Sequence, residues 1–104
     1  MAWVRPLQLI LMVWAFVSST QALLISYCAT SNTAANGKSV YSQCMSNGYC
    51  LKACSGYSVG VLQGFSCWCS DLIPESQTSL SDCETSCPGY PTDYCAGRGY
   101  FAYL

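Results

Sequence analysis

Residues 50–71, which read CLKACSGYSVGVLQGFSCWCSD, decide the fold of this chain. Two cysteines four residues apart, Cys50 and Cys54, open the stretch, and two cysteines two residues apart, Cys67 and Cys69, close it. Residues four apart lie on one side of an α-helix, and residues two apart lie on one face of a β-strand. The stretch therefore predicts a helix and a strand that each direct two cysteines to one side.

Local signals support both elements. Ser46 or Asn47 can cap the helix at its N-terminus, and Gly56 can terminate it just past Cys54. The segment GFSCWCS has the aromatic residues and the short length expected of a strand. One helical turn rises about 5.4 Å and two strand residues span about 6.6 Å, so two disulfides can hold the helix flat against the strand.

This geometry restricts which cysteines can form disulfides with each other, but it does not fix the individual pairs. Cys50 and Cys54 are each expected to bond to Cys67 or Cys69. The alternative is a four-thiolate zinc site, but C-x3-C combined with C-x-C is a poor match to common zinc spacings. We therefore expect disulfides here and no metal.

The C-terminal part repeats the helical spacing. Cys83 and Cys87 are four residues apart, Ser81 and Glu84 form an S-x-x-E capping box, and a Pro-Gly pair follows Cys87. The pattern predicts a short helix over residues 82–87. Strands are predicted at residues 25–28, 57–62, 65–70 and 99–103.

Composition is typical of a secreted disulfide scaffold. The 104 residues include nine cysteines and no histidine, only 9% are charged, and the net charge is -1. So few basic residues provide no patch for nucleic acid. A domain this small buries too little apolar surface to be stable without added constraint, and disulfides can supply that constraint in an oxidising compartment.

Residues 1–22 have the layout of a secretory signal peptide. Arg5 precedes an apolar run from about Leu9 to Val17, and Thr20 and Ala22 suit the positions before a cleavage site. The run is shorter than the ~20 apolar residues that a spanning helix needs. We expect a mature domain of residues 23–104 with no membrane span, secreted to the outside of the cell, where the cell wall is one expected location.

The cysteine pattern resembles a WSC domain, the cysteine-rich extracellular module of fungal cell-wall stress sensors. The segment CETSCPGYPTDYCAG resembles the family's C-x3-C-x-G-x5-C-[GA]-G ending, and GVLQGFSCWCS resembles its strand pair with an aromatic, here Trp68, between two cysteines. Ser66 and Ser70 stand where the family usually has an acidic residue and a glycine. Eight cysteines follow the family order: Cys28, Cys50, Cys54, Cys67, Cys69, Cys83, Cys87 and Cys95.

The resemblance implies a connectivity and a fold. The implied bridges are Cys28–Cys83, Cys50–Cys67, Cys54–Cys69 and Cys87–Cys95. The implied fold is a small α+β domain in which an antiparallel sheet packs on one main helix, as in PAN/apple modules. Cys44 falls outside the pattern and is expected to be unpaired; if exposed, it could link two copies through a disulfide.

Catalysis is not expected. Without histidine, no Ser-His or Cys-His pair can form. The acidic pairs Asp82 with Glu84 and Asp71 with Glu75 lie at helix-start or loop positions, where capping and solvation explain them. No phosphate-binding loop is present. We predict no enzyme and no cofactor.

Glycan binding is the favoured function. A pyranose has an apolar face and polar edges, which aromatic rings and hydrogen-bonding side chains can match. Strand alternation directs Trp68 away from its neighbouring cysteines, and Trp68, Gln63, Tyr90 and Tyr94 are the predicted ligand-binding residues.

We expect a cell-wall or extracellular polysaccharide of the glucan type, as the family resemblance suggests. An uncharged polymer is favoured because only Lys38, Lys52 and Arg98 of the mature chain could pair with acid groups. The alternatives are a structural or protein-interaction module without a sugar site, and the front end of a longer membrane sensor of the cell wall.

Overall fold

A computed structural model describes residues 25–104, and the predicted signal peptide at residues 1–22 lies outside this range. The elements in chain order are β1 Tyr27–Ala29, β2 Ser39–Tyr41, α1 Asn47–Ala53, β3 Val59–Gln63, β4 Ser66–Ser70, a 3-10 helix Leu80–Cys83 and β5 Phe101–Tyr103. The strands form one antiparallel sheet in the order β1-β5-β3-β4-β2. The predicted small disulfide-rich α+β domain is confirmed. No helix within residues 25–104 is long and apolar enough to cross a bilayer.

Helix α1 begins and ends close to where the sequence predicts. Ser46 is the N-cap, and its side chain accepts a hydrogen bond from the Tyr49 N–H at 3.1 Å. At the other end the Cys54 N–H donates to the Cys50 carbonyl at 2.9 Å. Gly56 follows with φ of 95°, a left-handed conformation that glycine adopts without steric cost. The helix is therefore short and closed at both ends.

The β3–β4 hairpin forms the centre of the sheet. Val61 pairs with Trp68, and Gln63 pairs with Ser66, so the turn between the strands contains two residues. Gly64, the first of them, has φ of 58°. Two-residue hairpin turns require positive φ at this position. The hairpin matches the strands predicted at 57–62 and 65–70 to within two residues at each end.

Two disulfides hold α1 on this hairpin. Cys50–Cys67 and Cys54–Cys69 have Cα–Cα distances of 5.7 Å and 5.1 Å. The sulfur atoms of Cys54 and Cys67 are 3.6 Å apart, so the two bridges touch each other. A helix carrying both cysteines on one side therefore lies flat across the sheet.

Gly60 of β3 permits this close approach. A Cβ atom at position 60 would lie 2.9 Å from the sulfur of Cys50, closer than real Cβ contacts come. The helix and its bridges thus occupy the space that a side chain would need.

The two remaining bridges are Cys28–Cys83 and Cys87–Cys95, with Cα–Cα distances of 5.9 Å and 4.8 Å. The four bridges are those implied by the family resemblance, and Cys44 is free and exposed. Half-cystines dominate the core on the helix side of the sheet. Its buried members are Cys28, Met45, Cys50, Cys54, Leu62, Cys67, Cys83, Cys87, Cys95, Ala96 and Ala102.

The helix predicted over residues 82–87 is wrong. The structure has a 3-10 helix, Leu80–Cys83, capped by Ser79 rather than by the predicted Ser81 box. The Cys87 N–H donates to the Asp93 carbonyl at 2.9 Å, and the Cys95 N–H donates to the Thr85 carbonyl at 2.8 Å. This extended pairing aligns the two cysteines of the last bridge, and it removes residues 85–87 from any helix.

Strand β2 is an element that the sequence does not predict. Its three residues pair with β4, and Val40 lies opposite Cys67. Val40 packs against the core, while Ser39 and Tyr41 are exposed. One inward-facing apolar residue is too few to give a recognisable alternation of apolar and polar residues in the sequence.

The bridges are expected to differ in their contribution to stability. Replacing Cys28 and Cys83 by alanine removes a bridge between cysteines 55 positions apart in the sequence. Replacing Cys87 and Cys95 removes a bridge between cysteines only 8 positions apart. In the chain-entropy model these losses are about 4 and about 2.5 kcal/mol. Urea unfolding of the two double variants measures the difference, and a larger loss for the Cys87–Cys95 pair would contradict the ranking.

Gly60→Ala is expected to destabilise the domain by about 1–3 kcal/mol, because the new methyl group must displace the Cys50–Cys67 bridge. Thermal unfolding followed by circular dichroism measures the loss. Ser58→Ala is the control, because Ser58 is exposed just before β3 and its substitution should change stability by less than about 0.5 kcal/mol. Equal melting of Gly60→Ala and wild type would mean that the helix lies farther from β3.

Candidate functional site

The face of the sheet opposite α1 carries the aromatic residues of the strands. Trp68 lies opposite Val61 on one side and Ser39 on the other, and it packs against a second buried cluster, not against the disulfides. Its ring meets that of Phe101 edge to face, with 5.9 Å between the ring centres. The orientation predicted for Trp68 by strand alternation is therefore correct, and the side chain is half-buried.

One end of this face is covered by the loop after β1. The Tyr103 hydroxyl donates to the Ser31 carbonyl at 2.6 Å and accepts from the Thr33 N–H at 3.0 Å. The Thr33 hydroxyl donates to the Leu72 carbonyl at 2.8 Å and lies 2.7 Å from the Ser70 hydroxyl. These bonds hold the loop over the buried end of the face and leave the hairpin-turn end open.

The open end forms a groove of about 470 Å³. The lining residues are Tyr41, Gln63, Gly64, Phe65, Ser66, Gly97 and Arg98. Tyr41 and Phe65 stack on each other, with 5.7 Å between ring centres and 24° between ring planes. Their exposed fractions are 64% and 46%, so the stacked pair offers a large apolar surface to solvent.

Gln63 lines this groove, and strand register places Trp68 next to it. Ser66 pairs with both Tyr41 and Gln63, and Trp68 follows two residues later on the same face of β4. The Gln63 side-chain NH2 donates to the Tyr100 carbonyl at 3.1 Å, which fixes the amide. Its side-chain oxygen has no hydrogen-bond partner within residues 25–104, so it can accept a bond from a ligand. Of the four predicted residues, Gln63 lines the groove and Trp68 lies beside it on the same face of the sheet.

Tyr90 and Tyr94 lie elsewhere. Tyr90 is exposed in the loop after Gly89. Tyr94 lines a small cavity of about 160 Å³ together with Ile25, Leu80 and Glu84. Neither residue lines the groove beside Trp68.

Sequence reasoning missed Tyr41, Phe65 and Arg98 as groove residues, and Phe101 as the ring that packs on Trp68. Phe65 could have been identified from the sequence, because a residue next to a hairpin glycine is usually exposed at the turn. Tyr41 lies at the groove because the unpredicted strand β2 pairs with β4. Arg98 lies there because its turn, distant in sequence, packs against the β3–β4 hairpin turn. These two positions could be found only from the fold.

A larger cleft of about 600 Å³ lies at the covered end. It is lined by Thr30, Ser31, Asn32, Thr33, Leu72, Ile73, Glu75 and Ser76. The lining is rich in hydroxyl groups but contains no aromatic ring. A sugar would find hydrogen bonds there without a stacking surface, so the groove is the better candidate.

Acidic and sulfur groups have structural roles where their contacts are defined. Asp93 is buried and accepts a hydrogen bond from the Asn47 N–H at 3.2 Å, in the first turn of α1. Asp71 accepts from the Ser58 N–H at 2.9 Å. The sulfur atoms of Cys50, Cys54 and Cys67 lie within 4.8 Å of one another, but all three are bonded in disulfides and offer no thiolate to a metal.

Comparisons with known proteins agree with the cysteine framework. Residues 25–97 match the model of the WSC domain family. The "Cell wall integrity and stress response component 4" of Saccharomyces cerevisiae is 43% identical over 81 residues, which are 76% of this chain and 13% of that protein. The "Uncharacterized protein in LEU2 3'region" of Pichia angusta is 42% identical over 61 residues, covering 57% of this chain and 16% of that protein. The chain therefore spans only a small part of either relative.

Proposed function

The chain belongs to the WSC domain family, and on that premise we propose that it is a non-catalytic, cell-wall-related module that binds a glucan-type polysaccharide. The observation that carries the proposal is the open groove beside Trp68. Two stacked and exposed rings, Tyr41 and Phe65, form its apolar surface, while Gln63 and Ser66 add hydrogen-bonding groups.

The chemistry of these groups suits a sugar ring. An aromatic face can stack on the apolar face of a pyranose, and amide and hydroxyl groups can bond its edges. The Trp68 indole N–H has no hydrogen-bond partner within residues 25–104, so it can donate to a ligand. The groove is carried by strands that two disulfides hold in place, which lowers the entropy lost on binding.

The setting of the module forms part of the same proposal. We place it outside the cell, as a secreted or cell-wall protein, after removal of residues 1–22. The name of the yeast relative, which refers to cell wall integrity and stress response, supports this setting. A role as the front end of a longer membrane sensor fits the small share of that relative that the chain covers. The likeness of the fold to PAN/apple modules stays a prediction.

Trp68→Ala is expected to weaken polysaccharide binding about ten-fold or somewhat more, the equivalent of ~1–2 kcal/mol, because one stacking surface is lost. Phe65→Ala should act in the same direction with less effect on folding, since Phe65 is exposed in the turn. Pull-down on insoluble β-glucan and on chitin measures binding, and circular dichroism confirms that each variant is folded.

Tyr90→Ala is the matched control, because Tyr90 is an exposed aromatic residue outside the groove. It should bind like wild type. Folded Trp68 and Phe65 variants that bind as well as wild type would remove the groove from the proposal. A wild-type protein that binds no glycan would favour the protein-interaction alternative.

We further propose that Cys44 links two copies of the domain. Its thiol is free and exposed, and its backbone is fixed because Gly89 packs against its carbonyl. Non-reducing electrophoresis of the secreted protein should show a dimer that Cys44→Ser abolishes. The variant should unfold at the wild-type temperature, since no bridge is lost; a large destabilisation would mean that Cys44 belongs to the disulfide framework.

A further inference from the structure

We propose that the groove prefers a polysaccharide carrying a sparse anionic substituent, a carboxylate or phosphate on a sugar, and that Arg98 binds this group. The inference rests on the proposed glycan-binding function and specifies its substrate class. Composition alone favours an uncharged polymer, but composition does not show where the few cations lie. The fold places one of them at the groove.

The turn that carries Arg98 is fixed on both sides. The Gly64 N–H, in the β3–β4 hairpin turn, donates to the Cys95 and Ala96 carbonyls at 3.3 Å and 3.1 Å. The Gln63 side chain donates to the Tyr100 carbonyl at 3.1 Å, and the Tyr100 N–H donates to the Gly97 carbonyl at 3.2 Å. The backbone on either side of Arg98 is thereby attached to the hairpin that carries Phe65.

Packing adds to this attachment. Cys95 is bonded to Cys87, and a Cβ atom at Gly97 would lie 2.9 Å from the Thr85 hydroxyl oxygen. The chain next to Arg98 is therefore in close contact with a neighbouring segment. The backbone of Arg98 is therefore positioned beside the groove, and its exposed side chain forms part of the lining.

The positive charge of Arg98 is not neutralised within the domain. The guanidinium has no ion pair, hydrogen bond or ring contact with any residue of 25–104. None of the seven groove-lining residues is acidic. Asp71 and Asp93, in contrast, already accept backbone hydrogen bonds elsewhere in the fold. An anion entering the groove would meet an available cation and no lining carboxylate.

The neighbouring groups define what the anion is attached to. A guanidinium binds carboxylate or phosphate through two parallel hydrogen bonds. The Tyr41–Phe65 pair offers the surface on which a sugar ring can stack. Residues 25–104 contain three basic and five acidic side chains, so their net negative charge opposes a densely charged polyanion. The ligand that suits both features is a mostly neutral polymer with occasional acidic groups.

The test compares one polysaccharide backbone in three forms: soluble β-glucan, the same glucan with a low degree of carboxymethylation, and the same glucan lightly phosphorylated. Affinity is measured by isothermal titration calorimetry at low salt and at 0.5 M NaCl. We expect the acidic forms to bind about three- to ten-fold more tightly at low salt, and the advantage to shrink at high salt. The larger of the two gains identifies carboxylate or phosphate as the preferred group.

Arg98→Gln should abolish this preference, so that the variant binds the acidic and the unmodified glucans with equal affinity, while Arg98→Lys should keep part of the preference. Lys52→Gln is the matched control, because Lys52 lies on α1 beside Tyr49 and away from the groove, and it should keep the full preference.

Equal binding of the neutral and acidic forms, or a preference that survives Arg98→Gln in a folded variant, overturns the inference and leaves the proposed function intact. Failure of all three glucans to bind overturns the proposed function and the inference together.

Discussion

The contact between α1 and the β3–β4 hairpin is the constraint on which the rest of the domain depends. Two bridges that touch each other, at 3.6 Å between Cys54 and Cys67 sulfur atoms, fix the helix in position and direction. The contact requires cysteines at helical spacing on one element and at strand spacing on the other. It also requires the absence of a side chain at Gly60. The helix and its two disulfides thereby cover one face of the sheet, whereas part of the other face stays open to solvent.

The two faces of the sheet therefore have different roles. On the helix side, half-cystines take the place that large aliphatic residues hold in bigger domains, and Met45 and Leu62 fill the spaces between them. On the other side, the loop held by Tyr103 covers only one end. Because stability comes from covalent links, the aromatic residues at the open end are not all needed for the core. Tyr41 and Phe65 can remain exposed without loss of the fold.

Sequence reasoning reached those features that depend on neighbouring residues. The position of α1, the hairpin and the orientation of Trp68 follow from spacing, caps and alternation, which are local properties. The choice of Cys67 as the partner of Cys50 came from the family resemblance, since spacing alone allowed Cys69 as well. The failures concern non-local pairing: residues 85–87 pair with residues 93–95 instead of forming a helix.

The same distinction applies to the candidate site. Trp68 and Gln63 could be named because they lie on the predicted hairpin. Tyr41 reaches the groove through β2, whose pairing with β4 spans more than twenty residues of chain. Arg98 reaches it through a turn that docks on Gly64. No local pattern in the sequence carries that information, and Tyr90 and Tyr94 were grouped with Trp68 only by residue type.

The order of the bridges along the chain determines how the domain would carry a mechanical load. The shortest covalent route from residue 25 to residue 104 crosses from Cys28 to Cys83 and from Cys87 to Cys95. Residues 29–82, which include Tyr41, Phe65 and Trp68, lie outside that route, whereas Arg98 and Phe101 lie on it. Tension between residues 25 and 104 would therefore pass covalently through the Arg98 side of the groove, and it would reach the side formed by Tyr41 and Phe65 only through hydrogen bonds and packing.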